Sequence, residues 1–224
     1  MKVTLIALLL FFALNSEAKI VLNTYNTCSF EGPVTMESVQ DVKLCLVDKV
    51  TRRHGKDYPI YLYMNSGGGS IYDGLNFIAF AKTIKNLHTI TQFSASMAAA
   101  ITQLLPGKRY VVENGIFMFH RAKGAFKGQF EDGELEQQLK LWKEIVRDME
   151  QKQADRIGIT LADYKKKRLN EWWLYGKSAV IEKVADQVET VSCTQGLIHK
   201  KVKIVVNGFF GSDTIVKSLC PLVN

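Results

Sequence analysis

Two side chains in this sequence have the types and neighbourhoods for nucleophilic chemistry. Ser96 follows an apolar-polar run over 87–93 and precedes a run of helix formers over 97–105, which Pro106-Gly107 stops. That pattern predicts a strand, a turn and a helix, with the hydroxyl at the helix N-terminus, where free N–H groups and the dipole favour negative charge. Ala95, Ala98, Ala99 and Ala100 leave room for another backbone or a substrate to approach. His120 closes Gly115-Ile116-Phe117-Met118-Phe119, an apolar run that predicts a buried central strand. A histidine at the tip of one strand can take the proton of a serine at the tip of its neighbour. Taken singly, the serine reads as an N-cap and the histidine as a satisfied polar group. A third stretch changes the balance: Pro59-Ile60-Tyr61-Leu62-Tyr63-Met64 predicts a short buried strand, and it runs into Asn65-Ser66-Gly67-Gly68-Gly69-Ser70. Glycines joining a strand to a helix let backbone pass beside a ligand and present N–H groups, which suits an anion or oxyanion site.

The order strand, N-S-G-G-G-S, helix, strand, S-A-S-M-A-A, helix, P-G-K-R, strand, F-M-F-H, then G-A-F-K-G-Q resembles the proteolytic subunit of the Clp protease family over roughly residues 28–191. Members are self-compartmentalising serine peptidases. The resemblance implies an α/β fold of the ClpP/crotonase type, a spiral of β-β-α units with a long handle helix. It implies Ser96 as nucleophile, His120 as base, and the backbone N–H groups of Gly69 and Met97 as oxyanion donors. It also implies that Gly68, Gly124, Ala125 and Phe126 flank a peptide substrate lying as an added strand. One departure is Gly67, which stands where the family usually has proline. Counting back from Asp186 through Asn170-Glu171-Trp172-Trp173-Leu174 places the orienting acid at Glu171. Asn170 is the fallback, and Asp186 matches the family's structural aspartate better than its catalytic acid.

The elements that would hold these residues follow from periodicity. A strand from 26 ends near Gly32-Pro33, and a helix over 36–53 puts Val39, Val42, Leu46 and Val50 on one face. A second helix, over 72–87, buries Leu75, Ile78, Ala79 and Ile84. Strands alternating with such helices imply right-handed crossovers and a parallel sheet. Residues 133–158 carry Leu135, Leu139, Trp142, Ile145, Val146 and Met149 along one stripe. A helix of about 24 residues would span about 36 Å and resembles the family's handle, implying a homo-oligomer through 133–158. Past 191 the sequence predicts a strand over 202–206 and a short helix over 212–219.

Residues 1–18 read as a signal peptide: Lys2, an apolar core of about a dozen residues, too short to span a bilayer, then Ser16-Glu17-Ala18. The remainder divides into a peptidase domain over 19–191 and an extension over 192–224, exported to periplasm or medium, with no later transmembrane segment. Cys28, Cys45, Cys193 and Cys220 remain after cleavage, and an even count in an exported chain suggests disulfides. Three pairings are possible; Cys28 with Cys45 and Cys193 with Cys220 would each tie a terminal segment locally. No C-x-x-C spacing occurs and the four histidines are scattered, so no metal and no cofactor is expected. The net charge of +7 comes partly from Arg52-Arg53, Lys165-Lys166-Lys167-Arg168 and Lys200-Lys201. Without interleaved aromatics these read as solvated faces, not a nucleic-acid site.

Only about nine residues separate Ala18 from Cys28, short for the axial loops where a Clp-type ATPase docks, and an exported protein lacks cytosolic ATP; no ATPase partner is expected. The reading is an endopeptidase acting on peptides or unfolded polypeptides through a Ser-His-acid triad. Its rivals are a catalytically impaired, peptide-binding ring component, an acyl-CoA hydratase relative, and a Ser/Lys peptidase of the signal peptide peptidase A type.

Overall fold

Strands rich in β-branched and aromatic residues alternate with short amphipathic helices, and the sheet follows from that alternation. The computed structural model describes residues 19–125, 131–208 and 211–223 of the 224-residue chain. The leader expected over 1–18 and the substrate-flanking Phe126 lie outside the described residues. The elements are β1 Lys19–Leu22, β2 Thr27–Glu31, α1 Met36–Arg52, β3 Ile60–Ser66, α2 Ile71–Ala81, β4 Leu87–Ala95, α3 Met97–Leu104 and β5 Arg109–Phe119. There follow α4 Glu134–Ile157, α5 Leu161–Lys167, β6 Trp172–Tyr175, α6 Lys177–Ile181, β7 Gln187–Val188, β8 Thr190–Cys193, α7 Gln195–His199, β9 Lys201–Gly208 and β10 Gly211–Ser218.

Strands β2, β3, β4 and β5 lie side by side in parallel, with β6 antiparallel on β5 and β7 parallel beside the same strand. This is the mixed α/β architecture with a parallel sheet that the resemblance implied. Buried Phe30, Ile60, Leu62, Met64, Phe77 and Ile101 form the core between sheet and helices. Thr35 starts α1 through a reciprocal capping box with Ser38, and the Cys28–Cys45 disulfide ties that helix to β2. Val39, Val42 and Leu46 are buried as expected, but Val50 and, on α2, Ala79 are exposed because each helix turns those positions away from the sheet. The helix expected over 72–87 also stops earlier, at Ala81.

The fully buried residues of α4, Val146, Met149, Glu150, Gln153, Ala154 and Ile157, lie in its C-terminal half, while in the N-terminal half Leu139 and Trp142 are half-buried and Leu135 and Leu141 exposed. The segment after 191 folds back onto the first strands. Strand β8 pairs with β1 in parallel, and Cys193–Cys220 closes a loop that packs Leu197 and Cys220 against Leu22, Tyr63 and Ile90. The short helix expected over 212–219 is instead β10, antiparallel to β9 with Gly208 opposite Gly211. Thr214-Ile215-Val216 is β-branched throughout, and pairing with Val202-to-Val206 outweighs a weak helical period.

Candidate active site

The turn at Ser96 is sharp and strained. The residue sits at φ 55°, ψ −120°, a region that costs a side-chain-bearing residue roughly 1–3 kcal/mol. Two bonds hold it there: its N–H donates to the Met118 carbonyl at 2.9 Å, and its own carbonyl accepts from the Ala100 N–H at 3.1 Å. Its hydroxyl makes no capping bond to α3. Instead Oγ lies 2.7 Å from His120 Nε2, a hydrogen-bonding distance for a nucleophile and its base.

Register brings the two together. Before an irregularity between Thr91 and Phe93, β4 pairs with β5 at an offset of 20 residues, Thr91 facing Val111; after it the offset is 23, Phe93 facing Ile116. Carried forward, the first offset would set Ser96 level with Ile116; the second sets it level with Phe119, next to His120. Gly115 sits at the shift, where an added Cβ would fall 2.5 Å from the Thr91 carbonyl oxygen.

The glycine stretch closes on the same turn. At Gly68, with φ +90°, an added Cβ would lie 2.6 Å from the Ala95 oxygen, 2.7 Å from Ser96 Cβ and 2.8 Å from the Met97 nitrogen. At Gly69, with φ +153°, it would lie 2.4 Å from the Val34 oxygen. Both positions therefore need glycine for close approach. Gly68 O accepts from the Val34 N–H at 2.9 Å and Ser70 N–H donates to Val34 O at 2.9 Å, which pins the loop to the residues before α1. The Gly69 N–H between them has no partner among the described residues. The Met97 N–H is the first of α3 and has no intrahelical acceptor.

A cleft of about 180 Å³ opens beside this pair, lined by Gly69, Ser96, Met97 and His120. Its opposite wall comes from Met149, Glu150 and Gln153 of α4 together with Tyr164 and Arg168. A larger hollow of about 620 Å³ between α1 and α2, around Val47, Val50 and Phe80, is lined by two threonines, Thr51 and Thr83, and by no histidine, so chemistry rather than size picks the smaller cleft. Sequence reasoning missed this polar wall. Arg168 was read as part of a solvated basic face, but it is buried, pairs with Glu150 and donates from Nη1 to the His120 carbonyl at 3.0 Å. Arg53, from another such cluster, is likewise buried, donating to Lys85 O at 2.9 Å. The spacing of Glu150, Gln153 and Ala154 on the inner stripe of α4 was the available signal.

Burial lowers the His120 pKa, with Lys123 and Arg168 acting in the same direction and Glu171 opposing them. The imidazole is therefore neutral near pH 7, as a base must be. Glu171 itself sits at φ 66°, and its Oε2 accepts from Trp173 Nε1 at 2.9 Å. No hydrogen bond reaches His120 Nδ1 among the described residues. Asn170 is exposed. Asp186 lies away from this cleft, bonded to Arg109 at the other end of β5. Gly124 packs where a Cβ would touch the Trp142 ring at 3.0 Å, and residues 121–125, Ala125 included, join no strand.

Among known families, the model described as Clp protease matches residues 14–192. The chain is also similar to the ATP-dependent Clp protease proteolytic subunit 2 of Cutibacterium acnes, at 27% identity over 150 residues, 65% of this chain and 69% of that protein.

Proposed function

This chain belongs to the Clp protease family, and from that premise we propose that it is an exported serine endopeptidase that cleaves peptides or unfolded polypeptides without an ATPase partner. His120 Nε2 takes the Ser96 proton as Oγ attacks the peptide carbonyl carbon. The N–H groups of Gly69 and Met97 receive the oxyanion. His120 then protonates the leaving amine, and water repeats the sequence on the acyl-enzyme. The observation that carries this reading is the 2.7 Å contact from a serine held at positive φ whose hydroxyl leaves its own helix uncapped.

Glu171 is the proposed orienting acid. Its charge raises the His120 pKa, and in the proposed mechanism its carboxylate leaves Trp173 Nε1 to accept from His120 Nδ1. Export is supported by the leader-like first 18 residues and by two disulfides, Cys28–Cys45 and Cys193–Cys220, which persist in oxidising compartments. Among the described residues no helix is long and apolar enough to cross a membrane. Without an ATP supply outside the cell membrane, an unfoldase-fed role has no energy source. Family members form homo-oligomers, and the N-terminal half of α4, with exposed Leu135 and Leu141, is the surface proposed for self-association here.

The test is labelling. A fluorophosphonate should modify Ser96 and nothing else, and Ser96→Ala should stay folded while losing both labelling and peptide hydrolysis. Modification of another residue would refute the assignment. One observation favours a second reading, a peptide-binding ring component with impaired catalysis: the Glu171 carboxylate bonds to Trp173. Stoichiometric labelling without turnover would select it.

A further inference from the structure

The cleft beside Ser96 has two walls of unlike chemistry. Ile71, Met97 and Ala100 line one side; Glu150, Gln153, Tyr164 and Arg168 line the other. Each of these four polar residues is more than nine-tenths buried, at 4%, 3%, 2% and 6% exposure in that order. Buried polar groups on this scale cost several kcal/mol where their hydrogen-bonding capacity is unmet. The unmet capacity here is mostly of donors. Arg168 Nη1 donates to the His120 carbonyl and Nη2 pairs with Glu150, while its buried Nε has no partner among the described residues. Each Nη carries a second N–H beyond those bonds. Gln153 gives one amide hydrogen to Met149 O at 3.2 Å, and its oxygen accepts from Tyr164 Oη at 2.9 Å. The second oxygen of Glu150 faces Lys165 Nζ at 3.7 Å, so the acceptor on this wall already has a cation, and Lys123 stands at the cleft.

Resting on the peptidase reading above, we infer that this cleft holds the substrate side chain on the acyl side of the scissile bond and selects one ending in an acceptor oxygen, a carboxamide or a carboxylate. An aliphatic or aromatic side chain would cover the Arg168–Glu150 pair without offering the guanidinium or the Gln153 amide an acceptor. A basic side chain would meet Arg168 and Lys123. The volume fits one modest side chain: at about 180 Å³ the cleft is smaller than the ~300–1,000 Å³ of sites for whole small molecules. Occupancy also reaches the base, because the guanidinium that would bind the side chain is the one holding the His120 carbonyl.

The experiment compares kcat/KM of the purified protein on acylated peptidyl-coumarin amides that differ only in the residue before the coumarin: Asn, Gln, Asp, Leu, Phe and Lys. The expected result is at least tenfold higher values for the best of Asn, Gln and Asp than for Leu, Phe or Lys, the carboxamide and carboxylate arms showing which oxygen the pocket prefers. In the double variant Glu150→Met, Arg168→Met the ranking should turn toward Leu and Phe. Fluorophosphonate labelling of the wild-type protein is run alongside. Labelling at Ser96 with a ranking led by Leu, Phe or Lys overturns the pocket and leaves the peptidase reading standing. So does a folded double variant that keeps the wild-type ranking. Absence of labelling overturns both, and the wild-type ranking decides even where the double variant does not fold.

Discussion

The two ends of the β4–β5 pair carry similar residues put to opposite uses. At the amino end the imidazole and the buried ion pair are closed on partners, although the Thr89 hydroxyl is left without one among the described residues. His88 Nδ1 accepts from the Lys108 N–H at 2.9 Å and its Nε2 donates to Asn86 Oδ1 at 2.8 Å. Arg109 reaches Asp186 from Nη2 at 2.6 Å and from its backbone N–H at 2.8 Å, and gives Nη1 to Gln103 Oε1 at 2.6 Å. Burial works against the Asp186 carboxylate, yet the Arg109 bonds hold its pKa below the usual range. At the carboxyl end the groups are left with capacity to spare: the Gly69 N–H, His120 Nδ1 and Arg168 Nε have no partner among the described residues. Burial lowers the pKa of both His88 and His120, so titration alone does not separate them; what each ring bonds to does. Open parallel sheets bind ligands beyond the carboxyl ends of their strands, and here the spare capacity of amide, imidazole and guanidinium gathers around one cleft at that end.

The contrast breaks most visibly at His120. His120→Ala should lower kcat/KM for a peptide substrate by on the order of 10⁴–10⁶, with the melting temperature close to wild type, since its ring makes one side-chain bond and that to Ser96. His88→Ala should do the reverse, leaving hydrolysis near wild type and lowering the melting temperature. Equal activity losses in both would erase the distinction between the two ends. Next in size is Glu171→Gln, expected to cost on the order of 10⁴ in kcat/KM. A loss under threefold would remove Glu171 from the mechanism, and Trp173→Phe, which frees the carboxylate, should then leave the rate unchanged.

At the amino end the expected effect is on stability. Asp186→Ala leaves the Arg109 guanidinium, 5% exposed, with Gln103 as its remaining side-chain partner. A fully buried ion pair broken in this way costs about 3–5 kcal/mol. Asp186 keeps 35% of its side-chain surface, so about 2–3 kcal/mol is expected. Urea denaturation measures it, and fluorophosphonate labelling in buffer should be retained. Labelling lost from a folded Asp186→Ala protein would show that the two ends are not independent.

How much of this was legible beforehand varies by element. Strand, turn and helix around Ser96 could be read because small and apolar residues there obey one period at a time. The β5 strand that delivers His120 was read from Gly115 onward, yet it begins at Arg109. The three-residue register shift that aligns Ser96 with Phe119 leaves no periodic trace, being set by where Gly115 meets the Thr91 carbonyl. The polar wall was missed because Lys165-Lys166-Lys167-Arg168 looks uniform in sequence, and only folding buries one of its four cations, Arg168, against Glu150. β10 was misread because pairing with β9, a partner outside any local window, decides its state.

The finest contrast is the direction in which neighbours move the His120 titration. Its folded pKa lies below the ordinary value of 6.5, burial first and then Lys123 and Arg168 lowering it, with Glu171 raising it. With the neutral imidazole as the proposed base, kcat/KM should be full near pH 7 and fall only as the pH drops through a value below the ordinary histidine range. Lys123→Met removes a lowering neighbour and should move that acid limb upward. Glu171→Gln removes the raising one and should move it downward, whatever it does to the plateau rate. Both histidines bind protons more weakly folded than unfolded, so acid also weakens the fold. Initial rates must therefore be taken where circular dichroism shows the native state. If both variants move the limb the same way, the titrating group is not His120, and a base elsewhere in the cleft would have to be sought.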